Sequence, residues 1–265
     1  MLNLIQADVF KLRKSMAIKI LLAITTVSAA IMAVFAYLIP QGKMDPSMTG
    51  LGFMFSDINV ISILGGVIAG VMICGDFDNK TIHDSIANGC SRSAVIISKA
   101  AVLGFALAFL LLPYAIITGI ALSTGSEFSM GSVAVGFLNV LTSVEGTTFS
   151  ASGVWKMFAV TLTLMIVYVA QLSICVPLAF MLKKPLFVVA IYYGFSILTA
   201  QLIRLSESSP VFDRMFSLTP YGGKHAFVTL DTGTGDMVKA IAVGLIFISV
   251  MIAVTYSAFR KSEIK

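Results

Sequence analysis

The chain has 265 residues, of which 58% are hydrophobic and only 12% charged, and its mean hydropathy is +0.97. Soluble domains contain about 45–50% apolar and about 25% charged residues, so this composition excludes a soluble globular protein. Lys and Arg exceed Asp and Glu by 18 to 13. In a membrane protein such an excess indicates cytoplasmic anchoring first, and we expect no nucleic-acid partner.

The first 19 residues predict an amphipathic helix that lies in the membrane interface. Lys11 and Lys14 lie away from its apolar face, which spans an arc of about 80° at helical spacing. The residues of that face are Leu2, Ile5, Val9, Leu12 and Met16. The alternative is an ordinary basic flank of the first membrane span.

Six apolar stretches are long enough to cross a bilayer, whose core of about 30 Å needs roughly 20 helical residues. They cover 20–39, 58–74, 94–122, 154–182, 186–203 and 238–259. We therefore expect an all-α polytopic membrane protein that forms a single transmembrane domain over 1–265. An even number of spans places both termini on one side of the membrane.

The positions of Lys and Arg predict which side that is. With the N-terminus inside, twelve of the 18 basic residues fall on inner segments and six on outer ones. The outer six are Lys43, Lys156, Arg204, Arg214, Lys224 and Lys239. This bias favours cytoplasmic termini.

The inner loop 75–92 contains its own short helix. Thr81 and Asp84 have the spacing of a capping pair, and Ile82 and Ile86 share one face. The Asn88-Gly89 pair is a helix stop signal. This loop therefore offers a compact helix to a partner in the cytoplasm.

Two longer loops lie on the outer side. Segment 204–236 mixes aromatic and polar residues, which suits short helices that rest on the outer leaflet. Segment 123–153 is rich in Ser, Thr and Gly and lacks Lys and Arg, and we expect a flexible loop.

The chain carries no recognisable catalytic motif. His83 and His225 are the only histidines, and each lies in a loop, so neither can reach a serine in the middle of the membrane. A membrane enzyme would need His83 with Asp76, Asp78 or Asp84, but solvated surface positions explain both histidines better. The sequence contains no phosphate-binding Gly-x-x-x-x-Gly-Lys-Ser/Thr loop, so if ATP drives this protein, a separate subunit binds it.

The spans contain small and neutral polar residues instead of acidic ones. Ser62, Gly66 and Gly70 have small-xxx-small spacing, which predicts close helix packing and makes the second span a candidate dimer seam. Central acidic residues are absent from all six stretches, which disfavours a proton-coupled transporter.

Polar stripes run along the fourth and fifth spans. Their members are Tyr168, Gln171 and Cys175 in the fourth span and Tyr192, Ser196 and Thr199 in the fifth. They would line a substrate path, but hydrogen bonds between helices explain them equally well.

Four short segments resemble the permease subunit of a type-2 ABC transporter, the class that includes exporters of peptide antibiotics and lantibiotic self-protection systems. Residues 8–14, Asp-Val-Phe-Lys-Leu-Arg-Lys, resemble the family's acidic-x-x-Lys-Leu-Arg/Lys opening. Residues 76–82, Asp-Phe-Asp-Asn-Lys-Thr-Ile, resemble Glu-Phe/Tyr-x-x-Gly-Thr-Ile/Leu, with Asp76 for Glu and Lys80 for Gly. Ser91-Arg92 with Lys99 matches the start of the third span, and 218–220, Leu-Thr-Pro, resembles the segment before the last.

The resemblance implies a non-catalytic permease, a homodimer or heterodimer, that sits on two ATPase subunits in a bacterial plasma membrane. ATP and Mg would bind to those subunits, and this chain would hold no cofactor. The resemblance also implies a set of residues that receives the motion of the ATPases. These are Asp76, Phe77, Asp78, Thr81, Ile82, Ile86 and Arg92, with Asp8 and Lys11 from the N-terminal helix.

The expected function is therefore ATP-driven export of an amphipathic or hydrophobic substrate such as an antimicrobial peptide. The outer loops lack a large capture domain, and the spans offer apolar and aromatic surface without a charged ion site. The alternatives are a stand-alone membrane enzyme and a membrane anchor or sensor that transports nothing.

Overall fold

A computed structural model describes residues 2–130, 134–143 and 151–261 of the chain. Over these ranges the protein is helical throughout and has no strands. Six helical segments are long and apolar enough to cross a membrane, which confirms the predicted all-α architecture. They are Met16–Leu38, Thr49–Asp78, Arg92–Ser123, Gly153–Leu182, Pro185–Ser206 and Thr234–Arg260.

The N-terminal helix α1 (Leu2–Lys14) is separated from the first span, α2 (Met16–Leu38), by Ser15 in an extended conformation. α1 packs against the third span, and its Leu12 is buried. Phe10, on another face of α1, remains exposed. The helix therefore turns one apolar side toward the protein and leaves another uncovered.

The second span is a composite of several helical pieces. A 3₁₀ turn (Pro46–Met48) and α3 (Thr49–Met54) precede α4 (Asp57–Ala69), and a π-helical turn (Gly70–Cys74) leads into α5 (Gly75–Asp78). The short α6 (Thr81–Ala87) follows, where the sequence predicts a loop helix.

The third span, α7 (Arg92–Ser123), lies at the centre of the bundle and contacts α1, α2, α4, α9 and α14. After it comes α8 (Phe137–Thr142), whose apolar side chains are fully buried. The sequence predicts a flexible loop over 123–153, but part of this segment forms the buried helix α8. Its four apolar residues cover the end of the bundle. Residues 131–133 and 144–150 of that loop lie outside the described residues.

The fourth span consists of α9 (Ala151–Leu172) and α10 (Cys175–Leu182). The break between them lies where Pro177 cannot donate a backbone hydrogen bond to the carbonyl of Ser173. The fifth span is α11 (Pro185–Ser208), which packs against the second, and the sixth is α14 (Thr234–Lys261), which packs against α9.

Between the last two spans, α12 (Pro210–Phe216) and α13 (Gly223–Ala226) flank a segment that enters the bundle. Tyr221 packs edge-on against Phe195 and Phe247, and its hydroxyl donates to the carbonyl of Gln171. Phe247 lies at the middle of α14. The sequence predicts short helices in this segment, and two form, but the stretch between them that carries Tyr221 inserts between the spans.

The two ends of the bundle carry different short helices. One end, called the α1 end, carries α1, α5, α6 and the last turn of α14. The other, called the α8 end, carries α8, α12 and α13. Residues 262–265 lie outside the described residues.

Candidate functional site

Charged side chains of α1, α5 and α7 meet at the α1 end in one alternating network. The ammonium group of Lys99 lies 2.7 and 2.8 Å from the two carboxylate oxygens of Asp8 and donates a second interaction to Asp76. Asp76 also accepts from Lys11. Three segments that are far apart in sequence are therefore joined by two lysines and two aspartates.

Burial makes this network different from a surface ion pair. The whole residues Asp76 and Lys99 are only 4% and 7% exposed, whereas the side chain of Lys11 is 57% exposed. A charge that is removed from water is stable only if it is paired and hydrogen-bonded. Lys99 lies within the third span, where an unpaired cation would be costly. Its pairing with two carboxylates compensates for that cost.

The turn between α5 and α6 has an unusual backbone. Lys80 adopts a left-handed conformation, with φ of 58°, and its carbonyl accepts the first backbone hydrogen bond of α6 from Asp84. Glycine is the residue that adopts this conformation without steric cost. The predicted capping pair of Thr81 and Asp84 is wrong, because the Thr81 hydroxyl bonds to the carbonyl of Asp76 instead.

Three aromatic rings from three spans meet directly behind this turn. Phe77 packs edge-on against Phe180 of α10 and Phe259 of α14, with centroid distances of 5.5 and 6.1 Å, and these two rings lie 5.1 Å apart. Lys183 lies over the ring of Phe77 at 5.2 Å. Phe77 therefore joins α5 to the ends of the fourth and sixth spans.

Arg92, the first residue of the third span, contacts the end of the sixth. Its guanidinium donates to the carbonyls of Phe259 and Arg260 at 2.9 and 3.0 Å and lies over the Phe259 ring. The last carbonyls of a helix lack partners within that helix, so Arg92 supplies a hydrogen-bonded cap for α14.

The predicted coupling residues separate into an inner and an outer set. Phe77 and Ile82 are buried and Ile86 is half-buried, so these side chains face the bundle. Asp78 and Asp84 are exposed, as is Lys80. The polar side chains of α5 and α6 therefore lie on the solvent-exposed side of this segment and the apolar ones pack against the bundle.

The histidine of this segment has no acidic partner among the described side chains. The ring of His83 packs edge-on against Phe77, and its Nδ1 atom is buried without a hydrogen bond in the described part of the chain. Asp76, which an acid–base pair with His83 would use, is occupied by Lys11 and Lys99. In the described part of the chain, Asp76 is therefore committed to the two lysines, and the ring of His83 to Phe77.

The polar residues proposed for a substrate path make hydrogen bonds within the protein. Gln171 donates to the carbonyl of Pro220 at 2.9 Å, and Ser196 donates to Ser62 at 3.1 Å. Thr199 donates to the carbonyl of Ser196 in its own helix. Tyr192 is buried.

The fourth-span residue Tyr168 donates to a buried carboxylate. Its hydroxyl bonds to Asp57 at the start of α4, and the backbone N–H of Phe137 donates to the same carboxylate oxygen at 2.9 Å. Gly136 leaves no room for a side chain, since a Cβ there would lie 2.1 Å from that oxygen. This contact joins the second span, the fourth span and α8 at the α8 end.

The small residues of the second span face the fifth. A Cβ on Gly66 would lie 3.3 Å from the backbone of Val189, and one on Gly70 would lie 3.0 Å from Pro185. These close approaches let two helix backbones pack together. The face that the sequence made a candidate dimer seam is therefore covered by α11 of the same chain.

Sequence reasoning named Asp8, Lys11 and Asp76 but did not connect them, and it missed Phe180 and Phe259. One signal was available: a lysine inside a membrane span requires an acidic partner. That rule names neither Asp8 nor Asp76, because the folded chain decides which carboxylates lie near Lys99.

No protein-family model matches this sequence, and a search of the curated proteins finds no similar sequence.

Proposed function

We propose that this chain is the permease subunit of an ATP-driven exporter in the bacterial plasma membrane, with both termini in the cytoplasm. The observation that carries the proposal is the attachment of α5 and α6 to the spans. Asp76 connects this segment to α1 and α7, and Phe77 connects it to α10 and α14. A force that a cytoplasmic subunit applies to α6 would therefore reach several spans through side chains that are already packed.

The turn at Lys80 also supports the resemblance on which this proposal depends. The family motif has glycine at this position, and the backbone here has the left-handed conformation that favours glycine. The family motif and the backbone of this chain therefore agree at position 80, although the residue there is lysine.

The energy would come from a separate subunit. The sequence contains no phosphate-binding loop, so two ATPase subunits would bind ATP and Mg and press against the exposed residues of α5 and α6. The permease itself would be non-catalytic and act as a dimer, with an identical or a sister chain.

The substrate class that we propose is an amphipathic or hydrophobic molecule, such as an antimicrobial peptide. Large parts of α11 and α14 expose apolar side chains, including Phe187, Ile197 and Ile246. Between two copies of the chain, such faces would offer an apolar and aromatic surface to a substrate that partitions into the membrane.

Purification of the tagged chain in a mild detergent tests the class. We expect a stoichiometric ATPase subunit in the eluate and ATPase activity that the isolated chain lacks. Preparations from several detergents without such a subunit would contradict the proposal.

Disulfide or bifunctional cross-linking tests the contact itself. In a background with Cys90→Ser, the variant Asp84→Cys places a thiol on the exposed side of α6, and Ser208→Cys places one at the α8 end. We expect the ATPase subunit to cross-link to the first position and not to the second. Equal cross-linking at both positions would contradict the assignment.

A further inference from the structure

A cavity of about 630 Å³ lies between α1, α6 and α7 at the α1 end. Its volume falls within the range of about 300–1,000 Å³ that is typical of small-molecule sites. One part of the lining is charged, with Asp8 among three lysines, and another part is apolar. The basic residues are Lys11, Lys14 and Lys99, and the apolar ones include Leu4, Phe10 and Val95.

The charges at this cavity do not cancel. Lys99 interacts with Asp8 and Asp76, and Lys11 interacts with Asp76. In the described part of the chain, Lys14 forms no salt bridge, and its ammonium group lies 5.8 Å from the centroid of the Phe10 ring. Asp8 lines the cavity with the three lysines, and Asp76 lies behind the lining and pairs with Lys11 and Lys99. Three positive charges therefore have two negative partners, which leaves one positive charge for a monoanionic ligand.

The cavity lies where the chain enters the bilayer. α1 ends at Lys14, and α2, the first apolar span, begins at Met16. Phe10 is 63% exposed and Met16 69% exposed, and Ile20 continues this uncovered apolar surface along α2. A ligand with its anionic group at Lys14 would therefore have its apolar part beside a surface that already faces lipid.

We infer that this cavity binds one anionic phospholipid from the leaflet at the α1 end. Its phosphodiester carries the single negative charge that Lys14 leaves unmatched, and ammonium groups bind phosphate as point charges. One acyl chain runs along Phe10 and the exposed start of α2. This inference does not depend on the proposed transport function, because it concerns a site within the isolated chain.

Ligand binding to the purified full-length chain in a non-ionic detergent tests the inference. The probes are dioctanoyl phosphatidylglycerol, dioctanoyl phosphatidylcholine and inorganic phosphate, measured by titration calorimetry with native mass spectrometry for stoichiometry. We expect one phosphatidylglycerol per chain and at least tenfold weaker binding of the other two probes. If phosphatidylcholine binds as tightly as phosphatidylglycerol, charge does not select the ligand, and the inference is overturned. If inorganic phosphate binds as tightly, the site recognises a free anion and not a phospholipid.

Two variants that remove the same charge from the last turn of α1 locate the site. Lys14 lines the cavity, whereas Arg13 is exposed and does not. A basic side chain near a membrane surface contributes about 1 kcal/mol to binding of anionic lipid, so Lys14→Gln is expected to weaken binding about fivefold. Arg13→Gln is expected to change it by less than twofold. Equal losses in the two variants would overturn the site, since they would show diffuse attraction by the whole helix.

A third variant tests the apolar part of the cavity lining. Phe10→Ser retains every charge of the cavity and removes the exposed ring beside Lys14. We expect this variant to bind dioctanoyl phosphatidylglycerol more weakly and to leave the weak binding of inorganic phosphate unchanged. Unchanged lipid binding would overturn the placement of the acyl chain.

Discussion

Lys99 and Asp76 form a buried ion pair that joins the third span to α5, the last piece of the second span. The pair extends to Asp8 on one side and Lys11 on the other, so α1 is attached through charges of both signs. A buried network of this kind tolerates the loss of one member poorly, because the remaining charges stay buried without compensation.

The first prediction concerns that loss. Lys99→Met would leave Asp8 and Asp76 close together with only the half-exposed Lys11 to neutralise them. We expect the free energy of unfolding to fall by about 3–5 kcal/mol. Thermal unfolding in detergent measures the effect, and Lys19→Met, at an exposed position of α2, is the control. Equal stability of the two variants would contradict a structural role for the network.

A second prediction concerns the turn at Lys80. A left-handed conformation costs a residue with a side chain about 1–2 kcal/mol, so Lys80→Gly should raise the free energy of unfolding by about 1 kcal/mol. Lys183 has the same conformation, but its ammonium group lies over Phe77. Lys183→Gly should therefore give a smaller gain, because the cation–π contact is lost as the strain is relieved. Equal gains would show that this contact contributes nothing.

Close packing between the second and fifth spans gives a third prediction. A methyl group on Gly70 would lie 3.0 Å from Pro185, whereas one on Gly75 would meet nothing within 4 Å. Gly70→Ala should therefore lower the free energy of unfolding by about 1–3 kcal/mol through overpacking. Gly75→Ala should raise it by up to about 1 kcal/mol, since alanine favours the helix. Denaturant unfolding of both variants measures the difference, and a stable Gly70→Ala protein would contradict this packing.

The buried carboxylate at the α8 end gives a fourth prediction. Tyr168→Phe removes the hydroxyl donor to Asp57, and a hydrogen bond to a charged group contributes about 1.5–3 kcal/mol. Tyr256→Phe removes a hydroxyl from an exposed position of α14 and should have almost no effect. Combined with Asp57→Asn in a double-mutant cycle, Tyr168→Phe should be far from additive. Additive losses would mean that the two side chains do not interact.

The sequence predicts the local structure at the α1 end well in some places and poorly in others. The stop signal at Asn88-Gly89 ends α6 as expected, with Gly89 at φ of +88°. The start of α6 was predicted wrongly, since the hydroxyl of Thr81 has a partner in Asp76 that capping rules do not consider. Local rules fail there because the competing hydrogen bond comes from the preceding turn.

The segments at the α8 end show the same difference on a larger scale. Aromatic and polar residues in 204–236 correctly indicate short helices, but composition does not reveal that Tyr221 inserts between three spans. Similarly, the segment that contains α8 is rich in Ser and Gly, and this composition does not reveal that four apolar residues of α8 cover the bundle end. Burial depends on which neighbours are present, and a sequence window contains only part of them.

The sequence by itself determined that this is an all-helical chain with six stretches able to cross a membrane, because hydropathy and helical periodicity depend on nearest neighbours along the chain. Tertiary structure alone decided that Asp8 and Asp76 share Lys99, and that Phe77 meets Phe180 and Phe259. The physical reason is that a buried charge or ring requires partners of a given chemistry, while only the packing of the helices determines which residues supply them.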